Sequence, residues 1–133
     1  MSEPIYGGKI LIVNNTNVGT DSGQNYLIQL SHQFAGRSPV VVLDEVVEIN
    51  KASTVGTFTS QKGEDDYWTF KLIPQGTGRF RTFEGEIKAN YTYEDSGAVI
   101  CVNIRQGDSS GKYDVEMVFP LSENVTDTIE AVN

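Results

Sequence analysis

Apolar and polar residues alternate one for one along much of the second half of this chain. A period of two fits strands that bury one face and wet the other. Trp68, Phe70 and Leu72 share one parity against Thr69 and Lys71. Phe83, Ile87, Ala89, Tyr91 and Tyr93 share another, opposite Glu84, Glu86, Lys88, Asn90 and Thr92. Tyr113, Val115, Met117 and Phe119 repeat the pattern against Asp114 and Glu116. Earlier apolar runs at 9–13, 26–30, 40–49 and 55–59 are short and separated by Gly, Asn, Asp and Pro, the residues of turns. With 67–72, 79–93, 98–105 and 113–121 they predict about eight strands, and no segment carries a helical period with caps. The expected fold is all-β: a single antiparallel two-sheet β-sandwich, jelly-roll-like, spanning residues 1–133 as one domain. Glu94-Asp95-Ser96-Gly97 reads as a hairpin turn, and the tail at 124–133 as one helical turn or a frayed end.

A chain of 133 residues can bury roughly two-thirds of its unfolded surface, enough to fold without a disulfide framework or structural metal. The single cysteine, Cys101, stands among Val99, Ile100 and Val102 and is expected to be a buried free thiol. Ten basic against 18 acidic residues give a net charge of −8. That charge opposes sequence-independent nucleic-acid binding and simple adhesion to anionic lipid. No basic start followed by an apolar run opens the sequence, so no signal peptide is expected. The matching expectation is cytoplasmic accumulation, or release outside the classical secretory route. No run approaches the roughly 18 apolar residues of a membrane-spanning helix.

Chemistry has few places to sit. His32 is the only histidine, and no nucleophile motif surrounds it or Cys101, so no catalytic residue is expected. Zinc spacings and phosphate-binding glycine motifs are absent, and no cofactor is implied. Glu64-Asp65-Asp66, Glu94-Asp95 and Asp108 fall at turns, but they lack a calcium-ligand pattern and are expected to be solvated acids. Binding is the remaining class. Arg79 and Arg81 bracket Phe80 and could present two cations and a ring to a phosphate-bearing headgroup. Tyr67 and Trp68 could serve as a stacking platform for a carbohydrate.

Thr82-Phe83-Glu84-Gly85-Glu86-Ile87, the segment 98–105 and Gly111-Lys112-Tyr113-Asp114 together resemble the aegerolysin family. Ile10-Leu11-Ile12-Val13-Asn14-Asn15 is similar to that family's opening apolar strand and Asn-rich turn. Family members commonly carry a tryptophan and a proline near the loop here spanning 106–111, and this sequence has neither, so no lipid-site residue is carried over. The resemblance implies a β-sandwich that recognises a membrane lipid headgroup beside a larger pore-forming protein, as in binary insecticidal toxins. A self-assembling structural or inclusion-body protein, a homo-oligomer built through strand edges, is the alternative. A carbohydrate-binding module is the third reading.

Overall fold

The computed structural model describes residues 5–17, 24–75, 81–107, 111–122 and 124–132. Nine strands follow one another: β1 (Ile5–Asn15), β2 (Tyr26–Phe34), β3 (Val40–Val47), β4 (Gly56–Gln61), β5 (Asp66–Pro74), β6 (Thr82–Lys88), β7 (Val99–Gln106), β8 (Lys112–Val118) and β9 (Val125–Val132). They form one mixed sheet in the order β3-β2-β5-β6-β9-β8-β7-β1-β4. Among the described residues the only helical element is a single 3-10 turn, Tyr93–Asp95.

The all-β class agrees with the alternation, but three details differ from the expected sandwich. The tail at 124–133 forms β9, which alternates poorly because only Ile129 is fully buried. By pairing with β8 on one side and β6 on the other, β9 joins what would have been two sheets into one. The segment at 94–97 is not a hairpin turn: β6 ends at Lys88, and β7 pairs with β8 and with β1 instead. The β1–β7 pairing is parallel, with Ile10 opposite Ile100 and Asn14 opposite Ile104.

The sheet curls until its edge strands β3 and β4 face each other, so it is nearly a barrel. Gly56 marks the closest approach, since a Cβ there would lie 2.8 Å from the carbonyl oxygen of Val42. Inward positions fill the interior with Trp68, Phe70, Leu72, Tyr26, Ile28, Leu30, Ile100, Val102 and Ile104, all at most 1% exposed. Inter-strand rings knit the two sides together. Phe58 on β4 meets Trp68 on β5 at 4.9 Å, and Tyr26 on β2 meets Tyr113 on β8 at 5.8 Å.

The two ends of the curl differ. At one end Asn14, fully buried, donates through Nδ2 to the carbonyls of Gln24 (2.7 Å) and Val47 (2.9 Å). Backbone bonds from Asn14 to Lys51 and from Ser53 to Ile12 add a short stitch along β1. At the other end β2 turns into β3 through Ala35 and Gly36, both at positive φ, as a tight hairpin requires. There β3 departs from β4. Its register also shifts: Leu30 opposes Leu43 and Ser31 opposes Val41, so Val42 is the extra residue of a bulge.

Candidate functional site

The departure of β3 from β4 opens a slot of about 150 Å³ lined by His32, Phe34, Arg37, Ser38, Val40, Val42, Phe58 and Thr59. A shallow trough of about 500 Å³ adjoins it and shares Val40, Phe58 and Thr59. Gly7, Gly8, Lys9, Thr57 and Gly97 complete the trough, and the three glycines leave it without side chains there. Gly8 has no room for any: a Cβ would stand 2.6 Å from the rings of Phe58 and Tyr91.

Large apolar groups gather at this open end. Val40 and Val41 are 64% and 65% exposed, and Ile5 is 53% exposed. Tyr93, the most exposed aromatic among the described residues, leans edge-on against Tyr6 at 5.4 Å, and the Lys62 ammonium sits 5.6 Å over its ring. The Arg37 guanidinium lies 5.1 Å over Phe34. Lys71, Lys88, Arg105 and Lys112 each pair with a carboxylate. Lys9, Arg37 and Lys62 have no such partner among the described residues, and all three belong to this end.

Beneath the slot lies a buried polar cluster. Asp66, fully buried, accepts hydrogen bonds from His32 Nε2 (2.7 Å) and Ser60 Oγ (2.6 Å) on Oδ1, and from the Tyr91 backbone N–H (2.8 Å) on Oδ2. Serine, histidine and aspartate are thus adjacent, but in the order of a clamp. A hydrolytic triad needs histidine between the hydroxyl and the carboxylate, whereas here the carboxylate is central and holds the serine proton. Asp95 is a second anchor, taking Ser122 Oγ (2.7 Å), the Leu121 N–H (2.8 Å) and Thr92 Oγ1 (2.9 Å). Burial pushes its carboxyl up, but these hydrogen bonds outweigh burial and hold it below the ordinary aspartate value. Asp66 and Asp95 are therefore not the solvated turn acids the sequence suggested. Parity carried the signal for Asp66, which falls on the inward register of Trp68 and Phe70. Asp65 is exposed and pairs with Asn90 and Lys88, and Asp108 lies outside the described residues. Among the described residues no three His, Cys, Asp or Glu side chains gather as metal ligands.

The binding residues named from sequence fare unevenly. Trp68 is fully buried with its Nε1 donating to Ala89 O at 2.8 Å, so it is no stacking platform; alternation had already put it on the core face. Tyr67, of opposite parity, is half-buried beside Lys88 in the ladder. Arg79 and Phe80 lie outside the described residues. Arg81 is exposed just before β6, at the far end of that strand from Lys88 and Tyr67, so Arg81 and Tyr67 do not meet. Cys101 is exposed, contrary to expectation, because Ile100, Val102 and Ile104 take the inward positions of β7 and turn the thiol outward. The slot itself went unread, since it depends on how β3 leaves β4. No family model matches this chain, and no curated protein matches it either.

Proposed function

We propose that this domain is a non-enzymatic recognition module that engages a membrane lipid through the open end of its barrel. The carrying observation is the company kept there by Ile5, Val40, Val41 and Tyr93 with Lys9, Arg37 and Lys62, three of the five basic residues that make no ion pair among the described residues. Exposed apolar side chains ringed by basic ones suit the boundary between headgroups and acyl chains. The net charge of −8 makes recognition depend on a local headgroup contact instead of a general field. Action beside a larger pore-forming partner belongs to the same proposal, as the step after binding.

Flotation with neutral, anionic and sphingolipid-containing vesicles tests it. Lys62→Glu combined with Tyr93→Ser should lower the bound fraction at least about fivefold, a loss of the order expected when one surface cation is reversed. The unfolding midpoint should hold, because both side chains are exposed.

One observation favours self-assembly as a second reading: β3 and β4 are sheet edges, and Val40, Val41 and Val46 of β3 are exposed. Against it, β3 is blunted by the preceding Pro39, by the bulge at Val42 and by Asp44 and Glu45. Absence of binding to every vesicle, with or without a partner, together with concentration-dependent oligomers would put this reading first. The carbohydrate reading loses its main support with the burial of Trp68.

A further inference from the structure

The slot between β3 and β4 has the volume and lining of a site for one narrow apolar chain. Its walls are Phe34, Val40, Val42 and Phe58, and its volume of about 150 Å³ is too small for a ring system of drug size. Sites for whole small molecules run to about 300–1,000 Å³, the range that the adjoining trough of about 500 Å³ supplies. Arg37 and Ser38 border the slot, and Lys9 lies along the trough. Among the described residues no aspartate or glutamate lines either cavity. His32 borders the slot with its Nε2 committed to Asp66.

We infer that the slot and trough together hold an unbranched aliphatic chain bearing one anionic head, a carboxylate or a phosphate monoester. The inference rests on the membrane reading and narrows it to a class of ligand. The chain gains by leaving water for walls that have few polar groups to satisfy. The head gains from Arg37, whose flat fork is steadied over the Phe34 ring and can grip two oxygens at once. Lys9 supplies a second positive charge beyond Val40. The same chemistry could reach the site as a free fatty acid or as one chain of a membrane lipid, and the two are separable by experiment.

The protein carries its own reporter. Trp68, the single tryptophan, packs 4.9 Å from Phe58 and 4.2 Å from His32, two residues of the slot wall. An ω-brominated decanoate, added below its micellar concentration, should quench Trp68 saturably. In the unbrominated series displacing it, affinity should rise about fourfold per added methylene until the cleft is full. Decylammonium, equal in length and opposite in charge, should compete at least about tenfold more weakly, as should binding to Arg37→Glu or Lys9→Glu. Both residues are exposed, so the variants should keep the native unfolding midpoint. Val40→Phe, at the shared rim, should block quenching by bulk alone while leaving Trp68 the single tryptophan.

No saturable quenching, equal competition by the cation, or undiminished binding to Arg37→Glu would each overturn the inference. Vesicles with brominated acyl chains separate it from the broader proposal. Quenching by soluble decanoate without vesicle flotation would keep the slot and sink the membrane reading. Flotation with no quenching from either probe would do the reverse.

Discussion

His32 Nε2 stands 2.7 Å from Asp66 Oδ1, with both side chains at most 3% exposed, and this contact ties the end of β2 to the start of β5. The remaining bonds of Asp66 draw in β4 through Ser60 and the post-β6 segment through Tyr91. One carboxylate therefore fixes four parts of the chain directly beneath the slot.

Removing it should be costly. Asp66→Ala leaves His32, Ser60 and the Tyr91 N–H without their acceptor in a dry interior, and should lower stability by about 3–5 kcal/mol. Asp66→Asn retains one acceptor oxygen and should lose less. Urea unfolding followed by Trp68 emission is the measurement; a loss under about 1 kcal/mol for the alanine variant would contradict the clamp.

Tyr6, Tyr26, Tyr91 and Tyr113 have phenols raised above the ordinary value of 10.0, in each case chiefly by burial. Tyr26 and Tyr113 also share a hydroxyl–hydroxyl bond of 2.7 Å that needs a proton between them. A raised acid binds its proton more tightly folded than unfolded. Its contribution is thus fully present below the unfolded value of about 10 and is lost as pH rises beyond it. Phenolate absorbance of these four should appear only together with unfolding. Their smooth titration in a protein with native near-ultraviolet dichroism would refute this.

Gly85 faces Ile129 so closely that an added Cβ would sit 2.7 Å from Ile129 Cγ2 and 3.2 Å from its Cα. Because backbone is involved, the strands must part to accept it. Gly85→Ala should cost about 1–3 kcal/mol by overpacking. Differential scanning calorimetry should show the midpoint falling; an unchanged or higher midpoint would mean that β6 and β9 yield freely.

Cys101 should react with a bulky thiol reagent in the native protein nearly as fast as in the unfolded one, since its side chain faces solvent. Cys101→Ser should change stability by no more than about 0.5 kcal/mol, as surface substitutions do. Slow, unfolding-limited labelling would show that the thiol is covered.

The sequence disclosed what depends on parity and withheld what depends on pairing. Alternation placed Trp68, Phe70, Phe83, Val115 and Met117 in the core, and applied to β7 it would have put Cys101 outside; its apolar neighbours misled. Asp66 sits on an inward position, yet turn chemistry argued for solvent. That β9 bridges two would-be sheets, and that β3 bulges at Val42 in its pairing with β2, are long-range outcomes with no local mark. The slot is made by such pairings, so its wall residues Phe34, Val40 and Phe58 read in sequence only as ordinary apolar residues.

The parallel match of Ile10 with Ile100 has a consequence for the birth of the molecule. During synthesis β1 precedes the strand that covers one of its flanks, β7, by the five strands β2 to β6. Until then Ile10, Leu11, Ile12 and Val13 travel as an apolar ribbon with that side bare, exposed to any neighbouring nascent chain. Such distant pairing slows folding and lengthens the time at risk of aggregation. Yield from a cell should therefore depend on how quickly the ribosome delivers β7, and a pause placed between β6 and β7 should send more of the product into inclusion bodies than one placed after β9.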